Sequence, residues 1–482
     1  MGNIRDYLTA AKCSYPVWGE ENTIYYLDTR DGAPQIWEKD LHTGKSRKRT
    51  HNSDKISRMR FCRRRVYFAM DMDGDENEQI YSIGGDSGEV MPVVYHPRNV
   101  RSHLGDVRGS WVYYASNKRL RSIFDICRKN LENGKTDILI EGKDAVCLPL
   151  CISPDEEILL YSRRTSFADL QIYCKNLLTG EEKKVSRDLQ CAMEDSPVWL
   201  EDGSGFYFIS DREREFKRVM FWDRKTGLTE EIYEVNWDVT HIALSGQDRY
   251  LAVVVNEDGD SRIHILEAET KREIHIPQIP LGTIGDEEPV TWSNAGFRLL
   301  FSFESGSRIQ NIWLLDAEKG TLEQVTENED TAVTEDMLTE PVLCRCQSFD
   351  GLEIPYWLYI PKGMPAKNLP VAVYIHGGPE SQIRRFYEET IQYLVSEGIA
   401  VAAPNVRGSS GYGKTYLDLD NKEKRLDAVK DIEALVEHLT ETKTADPGRM
   451  AVFGRSYGGY MTLSCAARMP KLWACAVEVV GM

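Results

Sequence analysis

The chain has 482 residues, 41% of them hydrophobic and 28% charged, and its 76 acidic against 59 basic side chains leave a formal net charge of −17. That length asks for two or more domains, and the composition is that of a folded globular chain with apolar material for full cores. The acidic excess argues against nucleic acid or an anionic membrane surface as a partner.

The N-terminus, Met1-Gly2-Asn3-Ile4-Arg5-Asp6, is charged where a secretory signal needs an apolar stretch, and Asp6 breaks the myristoylation pattern. No apolar run approaches the ~18 residues of a membrane span. The eleven cysteines, an odd number without zinc-site spacing, read as reduced thiols of a cytoplasmic protein with no metal and no cofactor.

A polar turn then recurs along the chain: Asp40-Leu-His-Thr-Gly44, Gly85-Asp-Ser-Gly88, Asn130-Leu-Glu-Asn-Gly134, Asn176-Leu-Leu-Thr-Gly180, Asp223-Arg-Lys-Thr-Gly227, Glu267-Ala-Glu-Thr-Lys271 and Asp316-Ala-Glu-Lys-Gly320. Successive turns end 44, 46, 46, 47, 44 and 49 residues apart. Each follows an apolar strand such as Gln35-Ile-Trp37 or Asn311-Ile-Trp313, with another strand about ten residues earlier, such as Ile24-Tyr-Tyr-Leu27 or Phe206-Tyr-Phe-Ile209. Aromatic and β-branched strands between Gly/Asp/Asn turns form antiparallel sheets, and a period near 46 with about four strands per unit is that of propeller blades. Seven units predict a seven-bladed β-propeller over residues 1–335. Within it, Asp71–Glu78 looks like a calcium loop, but its Gly74 is misplaced and Ser82 stands where the closing Glu belongs, so a solvated turn is expected. The run Asp211-Arg-Glu-Arg-Glu215 reads as an exposed charged loop, with a clamp for a substrate terminus as the sharper alternative.

After the acidic stretch Glu327–Glu340, read as a linker, strands alternate with helices. A hairpin over 344–360 leads to the strand Val371–Ile375, a helix over 387–396, the strand Ile399–Ala403, a long helix over 425–442, the strand Met450–Phe453, a helix to Arg468 and a strand over 473–480. This alternation implies a mostly parallel sheet. Between strand and helix, Gly454-Arg455-Ser456-Tyr457-Gly458-Gly459 fits the elbow that lifts a nucleophilic serine above such a sheet, its glycines allowing the tight turn. Attack on a carbonyl needs donors for the oxyanion. The N–H of Tyr457 lies on the elbow, and Gly377 and Gly378 follow the strand where a second donor belongs. His376 is read as holding that loop rather than acting as base, because in this fold the base follows the serine. The glycines over 408–413 lack the Gly-x-Gly-x-x-Gly spacing of a nucleotide site.

Together, His376-Gly-Gly-Pro379, Asn405-Val-Arg-Gly-Ser-Ser-Gly-Tyr-Gly413 and Gly454-Arg-Ser-Tyr-Gly-Gly-Tyr460, preceded by a propeller, resemble the prolyl oligopeptidase family of serine peptidases, particularly its acylaminoacyl-peptidase-like and dipeptidyl-peptidase-like members. The resemblance covers essentially the whole chain. It implies that Ser456 is the nucleophile, that the N–H groups of Tyr457 and Gly378 form the oxyanion hole, and that Tyr457 lines the primary specificity pocket. His376, Gly377 and Arg407 would structure the loops. Short peptides or peptide ends would enter a cavity between the two domains.

The family carries an Asp and then a His well beyond the serine, whereas the last histidine here is His438 and only 26 residues follow Ser456. The expected fold class is therefore β + α/β, a propeller followed by an incomplete α/β-hydrolase domain over 336–482, with the triad Asp and His beyond Met482. The chain is expected to be inactive, and its hydrolase part unstable because the last strand leaves an uncovered edge. An esterase on the same fold and a non-catalytic, peptide-binding propeller are the rival readings. The choice between exo- and endopeptidase action, and whether the chain forms a homo-oligomer, stay open.

Overall fold

The computed structural model describes residues 3–84, 88–97, 99–166, 168–186, 190–328 and 331–481. Most of the second repeat turn, Gly85-Asp-Ser-Gly88, lies outside the described residues, as do Met1, Gly2 and Met482.

Seven four-stranded antiparallel sheets follow one another over 13–48, 56–94, 102–140, 146–184, 194–233, 238–274 and 291–324, as the repeat predicts. The turn chemistry explains the period. The side chain of Asp40 accepts the N–H groups of His42 and Thr43 at 2.8 and 2.9 Å, and Asn130 and Asn176 repeat the arrangement in later blades. The turns close on glycines in the left-handed region, with φ of +72° at Gly44, +73° at Gly134 and +76° at Gly180. Lys271, the odd residue of the sixth repeat, adopts the same conformation at φ +59° while its ammonium sits 4.8 Å from the centre of the Tyr207 ring.

Central blade strands are buried along nearly their whole length, Tyr250–Glu257 being an example, because each blade is sandwiched between two neighbours. Outer strands such as Ser46–Lys48 and Thr229–Tyr233 are short, charged and exposed, which protects the sheet edges. Among the described residues every blade keeps its four strands consecutive in the chain, so no strand is shared where first and last blades meet. Side chains close the ring there: Trp18, Ile24 and Tyr26 pack on Leu300, Ile312 and Leu314, and the Trp18 indole donates to the Thr291 carbonyl at 3.0 Å.

The second domain is a six-stranded sheet with strands β1 (Val342–Gln347), β2 (Glu353–Tyr359), β3 (Leu369–Ile375), β4 (Ala400–Pro404), β5 (Ala445–Arg455) and β6 (Cys475–Val479), in spatial order β1-β2-β4-β3-β5-β6. The hairpin strands and the β2–β4 pair are antiparallel and the rest are parallel. Helix α2 (Glu389–Ser396) packs on one side with Trp357, Ile383 and Val401, while α4 (Asp427–Glu441) and α5 (Tyr457–Arg468) cover the other with Val371, Val452 and Met461. α2 begins two residues later than its pattern predicts, because the Glu388 side chain accepts the Ile391 N–H at 2.6 Å and so caps the helix. α4 is likewise shorter than the expected 425–442, with a 3₁₀ turn over Lys422–Leu426 ahead of it.

Two features of the seam between the domains were not anticipated. Ahead of the first blade strand at Cys13, a capped helix α1 (Ile4–Leu8) lies on the hydrolase side. There Tyr7 packs edge-on to Tyr393, and the Tyr387 hydroxyl donates to the Tyr7 carbonyl at 2.9 Å. The run Asp211–Glu215 is neither a free loop nor an open clamp. The Glu215 carboxylate accepts from the N–H and hydroxyl of Thr415 at 2.7 and 3.0 Å, and Lys414 pairs with Asp211 at 3.1 Å, fastening this turn to helix α3 (Gly413–Leu417). Arg384 and Arg385 extend the seam, bonding Ser261 at 2.8 Å and Asp260 at 2.7 Å on the sixth blade. The acidic stretch Asp71–Glu78 is a turn in which Asp75 accepts the Asn77 N–H at 2.9 Å.

Candidate active site

Ser456 sits where β5 turns into α5, with φ 57° and ψ −119°, a left-handed conformation that a non-glycine residue holds only when its surroundings dictate it. Those surroundings are backbone. A methyl group on Gly458 would lie 2.0 Å from the Ile375 carbonyl oxygen, one on Gly454 2.5 Å from the Gly458 oxygen, and one on Gly459 2.8 Å from the Gly481 Cα. The three glycines thus let the elbow press against β3 and the segment after β6. The Ser456 N–H donates to the Val479 carbonyl at 3.0 Å, and the side chain makes no cap hydrogen bond, leaving its hydroxyl unclaimed by the helix.

The loop after β3 comes alongside. A methyl on Gly377 would lie 3.7 Å from the Ser456 Cβ, so this backbone and the serine are neighbours. Gly378 takes φ +128° and a methyl there would meet the Glu380 nitrogen at 2.7 Å, which restricts the position to glycine. Tyr457 opens α5, where backbone N–H groups have no intrahelical acceptor and the helix dipole is positive. Its side chain is buried among the sheet residues, and its hydroxyl donates to Asp420 at 3.1 Å.

His376 is buried with both ring nitrogens engaged: Nδ1 donates to the Gly377 carbonyl at 2.7 Å, and Nε2 faces the Ser409 hydroxyl at 2.9 Å. Burial lowers its pKa and keeps the ring neutral. It therefore ties the loop after β3 to the loop after β4. Arg407 is buried at 3% exposure. Its guanidinium holds Asp431 of α4 at 2.8 to 3.1 Å and Asp350 of the β1–β2 turn at 2.9 and 3.0 Å, and it stacks on Phe349. Burial raises the pKa of Asp431, with the hydrogen bonds from Arg407 and Ser348 opposing the rise.

Residues that no motif flagged complete the neighbourhood. Asp420, 1% exposed, receives Tyr457 and Arg425, and the Arg425 guanidinium lies 5.1 Å from the Tyr457 ring centre. Between the domains lies a cavity of about 710 Å³, with Asp195, Asp238 and Asp286 from the propeller and Glu380, Gln382 and Asp418 from the hydrolase among its walls. Among the described residues no group of three or more His, Cys, Asp or Glu is arranged to hold a metal ion, and no helix is long and apolar enough to cross a membrane.

Residues 385–482 match the sequence profile of the prolyl oligopeptidase family. Over 274 residues the chain is 33% identical to an uncharacterised peptidase, YuxL, of Bacillus subtilis, a match covering 56% of this chain and 34% of the relative. It is 30% identical over 141 residues to dipeptidyl aminopeptidase BIII of Pseudoxanthomonas mexicana, covering 28% of this chain and 20% of that protein. The chain thus matches well under half the length of these curated relatives. Among solved structures, a puromycin-hydrolysing peptidase of Mycobacterium tuberculosis superposes on all of this chain and 79% of its own length with a TM-score of 0.84 at 17% identity, a likeness of fold.

Proposed function

We propose that this chain belongs to the prolyl oligopeptidase family and carries the nucleophile of a serine peptidase, with Ser456 attacking a peptide carbonyl to form an acyl-enzyme. The observation that supports this most directly is the strained elbow at Ser456, whose side chain makes no cap hydrogen bond, with the Gly377 backbone beside it. The N–H groups of Tyr457 and Gly378 are the proposed oxyanion donors, placed on rigid backbone that needs no reorganisation as charge develops. His376 is proposed as a loop anchor, because both of its nitrogens are occupied elsewhere.

The substrates proposed are short peptides and peptide N-termini. A cavity of about 710 Å³ suits a few residues and not a folded chain. Its acidic walls, relieved by Lys217 beside Asp195 at 3.7 Å and Lys414 beside Asp211 at 3.1 Å, favour an incoming ammonium group.

A fluorophosphonate probe with peptide mapping tests the nucleophile: any adduct on wild type should fall on Ser456, and Ser456→Ala should lose it. An adduct elsewhere overturns the assignment. Aminoacyl and dipeptidyl anilides compared with N-acylated ones test the substrate class. Faster turnover of acylated anilides, or of simple esters alone, would contradict it.

A further inference from the structure

We infer that Asp420 is a positioning residue for the serine elbow: its carboxylate, paired with Arg425, tethers the Tyr457 hydroxyl and thereby fixes the backbone N–H that follows Ser456. The inference rests on the nucleophile reading above but concerns a residue outside every motif that led to it.

Three elements converge on this carboxylate. From the elbow, Tyr457 donates its hydroxyl at 3.1 Å. From the 3₁₀ turn before α4, Arg425 pairs with the same oxygen at 3.1 Å and lies over the Tyr457 ring, so one cation braces both the acid and the aromatic ring. From the loop after β4, Gly408 approaches so closely that a methyl group there would meet the carboxylate carbon at 2.3 Å; with φ +94°, this position excludes any side chain twice over. Asp420 is 1% exposed, whereas Arg425 keeps about a third of its side chain in contact with solvent. A buried carboxylate without these donors would be costly, so the interactions are mutually dependent.

The consequence reaches the reacting atoms through Tyr457. Its Cα is one residue from a backbone held at φ 57°, ψ −119°, and its amide is the proposed oxyanion donor. The glycine contacts limit where the elbow backbone can go. The Asp420 tether sets the rotation of the first helical residue, and so the direction of that N–H. Loss of a charge-assisted hydrogen bond at a buried site should raise the local opening equilibrium by about tenfold or more.

Hydrogen exchange on the full chain, followed by mass spectrometry, compares wild type with Asp420→Ala, Asp420→Asn and Tyr457→Phe, alongside the rate of Ser456 labelling by a fluorophosphonate over a range of probe concentrations. Asp420→Ala and Tyr457→Phe should speed exchange at 456–461 by about tenfold with α4 unchanged, and lower the limiting labelling rate with little change in half-saturating concentration; Asp420→Asn, which keeps an acceptor, should recover most of both. Elbow exchange within twofold of wild type in Asp420→Ala, or equal loosening of α4, overturns the tether. An adduct in wild type at a residue other than Ser456 overturns the nucleophile reading instead, while the exchange data still decide the tether.

Discussion

In the propeller a central strand such as Tyr250–Glu257 is buried at all but its last residue, whereas the described hydrolase strand Cys475–Val479 is exposed at all five positions. The difference follows from how each unit finds neighbours. A ring gives every blade two faces of similar partners, so its stability is spread over many equivalent apolar contacts. The described strands of the hydrolase domain form an open sheet, and its loops are instead fastened by buried polar groups, among them Arg407 and Asp431. Damage to the propeller should therefore be graded and damage to the hydrolase part abrupt.

The largest effect is expected at Arg407→Ala, which strands Asp431 without charge compensation at 0% exposure and should cost about 3–5 kcal/mol. Site-resolved hydrogen exchange should show the hydrolase sheet opening while the blades keep their protection; loss spread evenly over both domains would erase the contrast. Next, Val253→Ala inside the sixth blade, where Val253 is 0% exposed, should cost about 2 kcal/mol, while Val479→Ala on the exposed edge should cost under about 0.5 kcal/mol in urea unfolding. Equal costs would mean that the edge strand is covered in solution.

The seam between the domains offers a pH test. Burial pushes both Glu304 and Glu388 up to about 7, with Lys12 opposing the rise and Glu389 adding to it at both; Glu288 acts on Glu304 as well. A raised carboxyl pKa favours folding while the group is protonated, so this contribution is complete below about 4.5 and is lost as pH rises through 7. The melting temperature should fall by a few degrees between pH 5 and pH 8, and Glu304→Gln should flatten that slope. A slope unaltered in Glu304→Gln would remove this carboxyl from the seam's pH response. The smallest change is expected at Lys271→Gly, where relief of the left-handed backbone offsets loss of the contact with Tyr207, leaving stability within about 1 kcal/mol.

The repeat was legible because blade turns are local. Asp40 bonds residues two and three positions away, and such chemistry leaves a period in the sequence whatever surrounds it. The elbow was legible for a related reason, since strand, tight turn and helix are consecutive and only glycine fits where a methyl would meet the Ile375 oxygen at 2.0 Å. Partners far apart in the chain left no such trace. Glu215 looked like part of a free charged loop because Thr415, which it grips, is 200 residues away. The N-terminal residues were counted with the propeller because nothing near Tyr7 announces Tyr387, 380 residues on.

By itself, then, the sequence determined the seven blades, the strand–helix alternation and the elbow, all of which rest on backbone geometry within a few residues. Only the tertiary structure decided that His376 spends both nitrogens on loops, that Arg407 holds α4 and the β1–β2 turn, and that Asp420 reaches Tyr457 across 37 residues. A buried polar group is satisfied by whichever partner the fold brings near, and that choice is made in space and not along the chain.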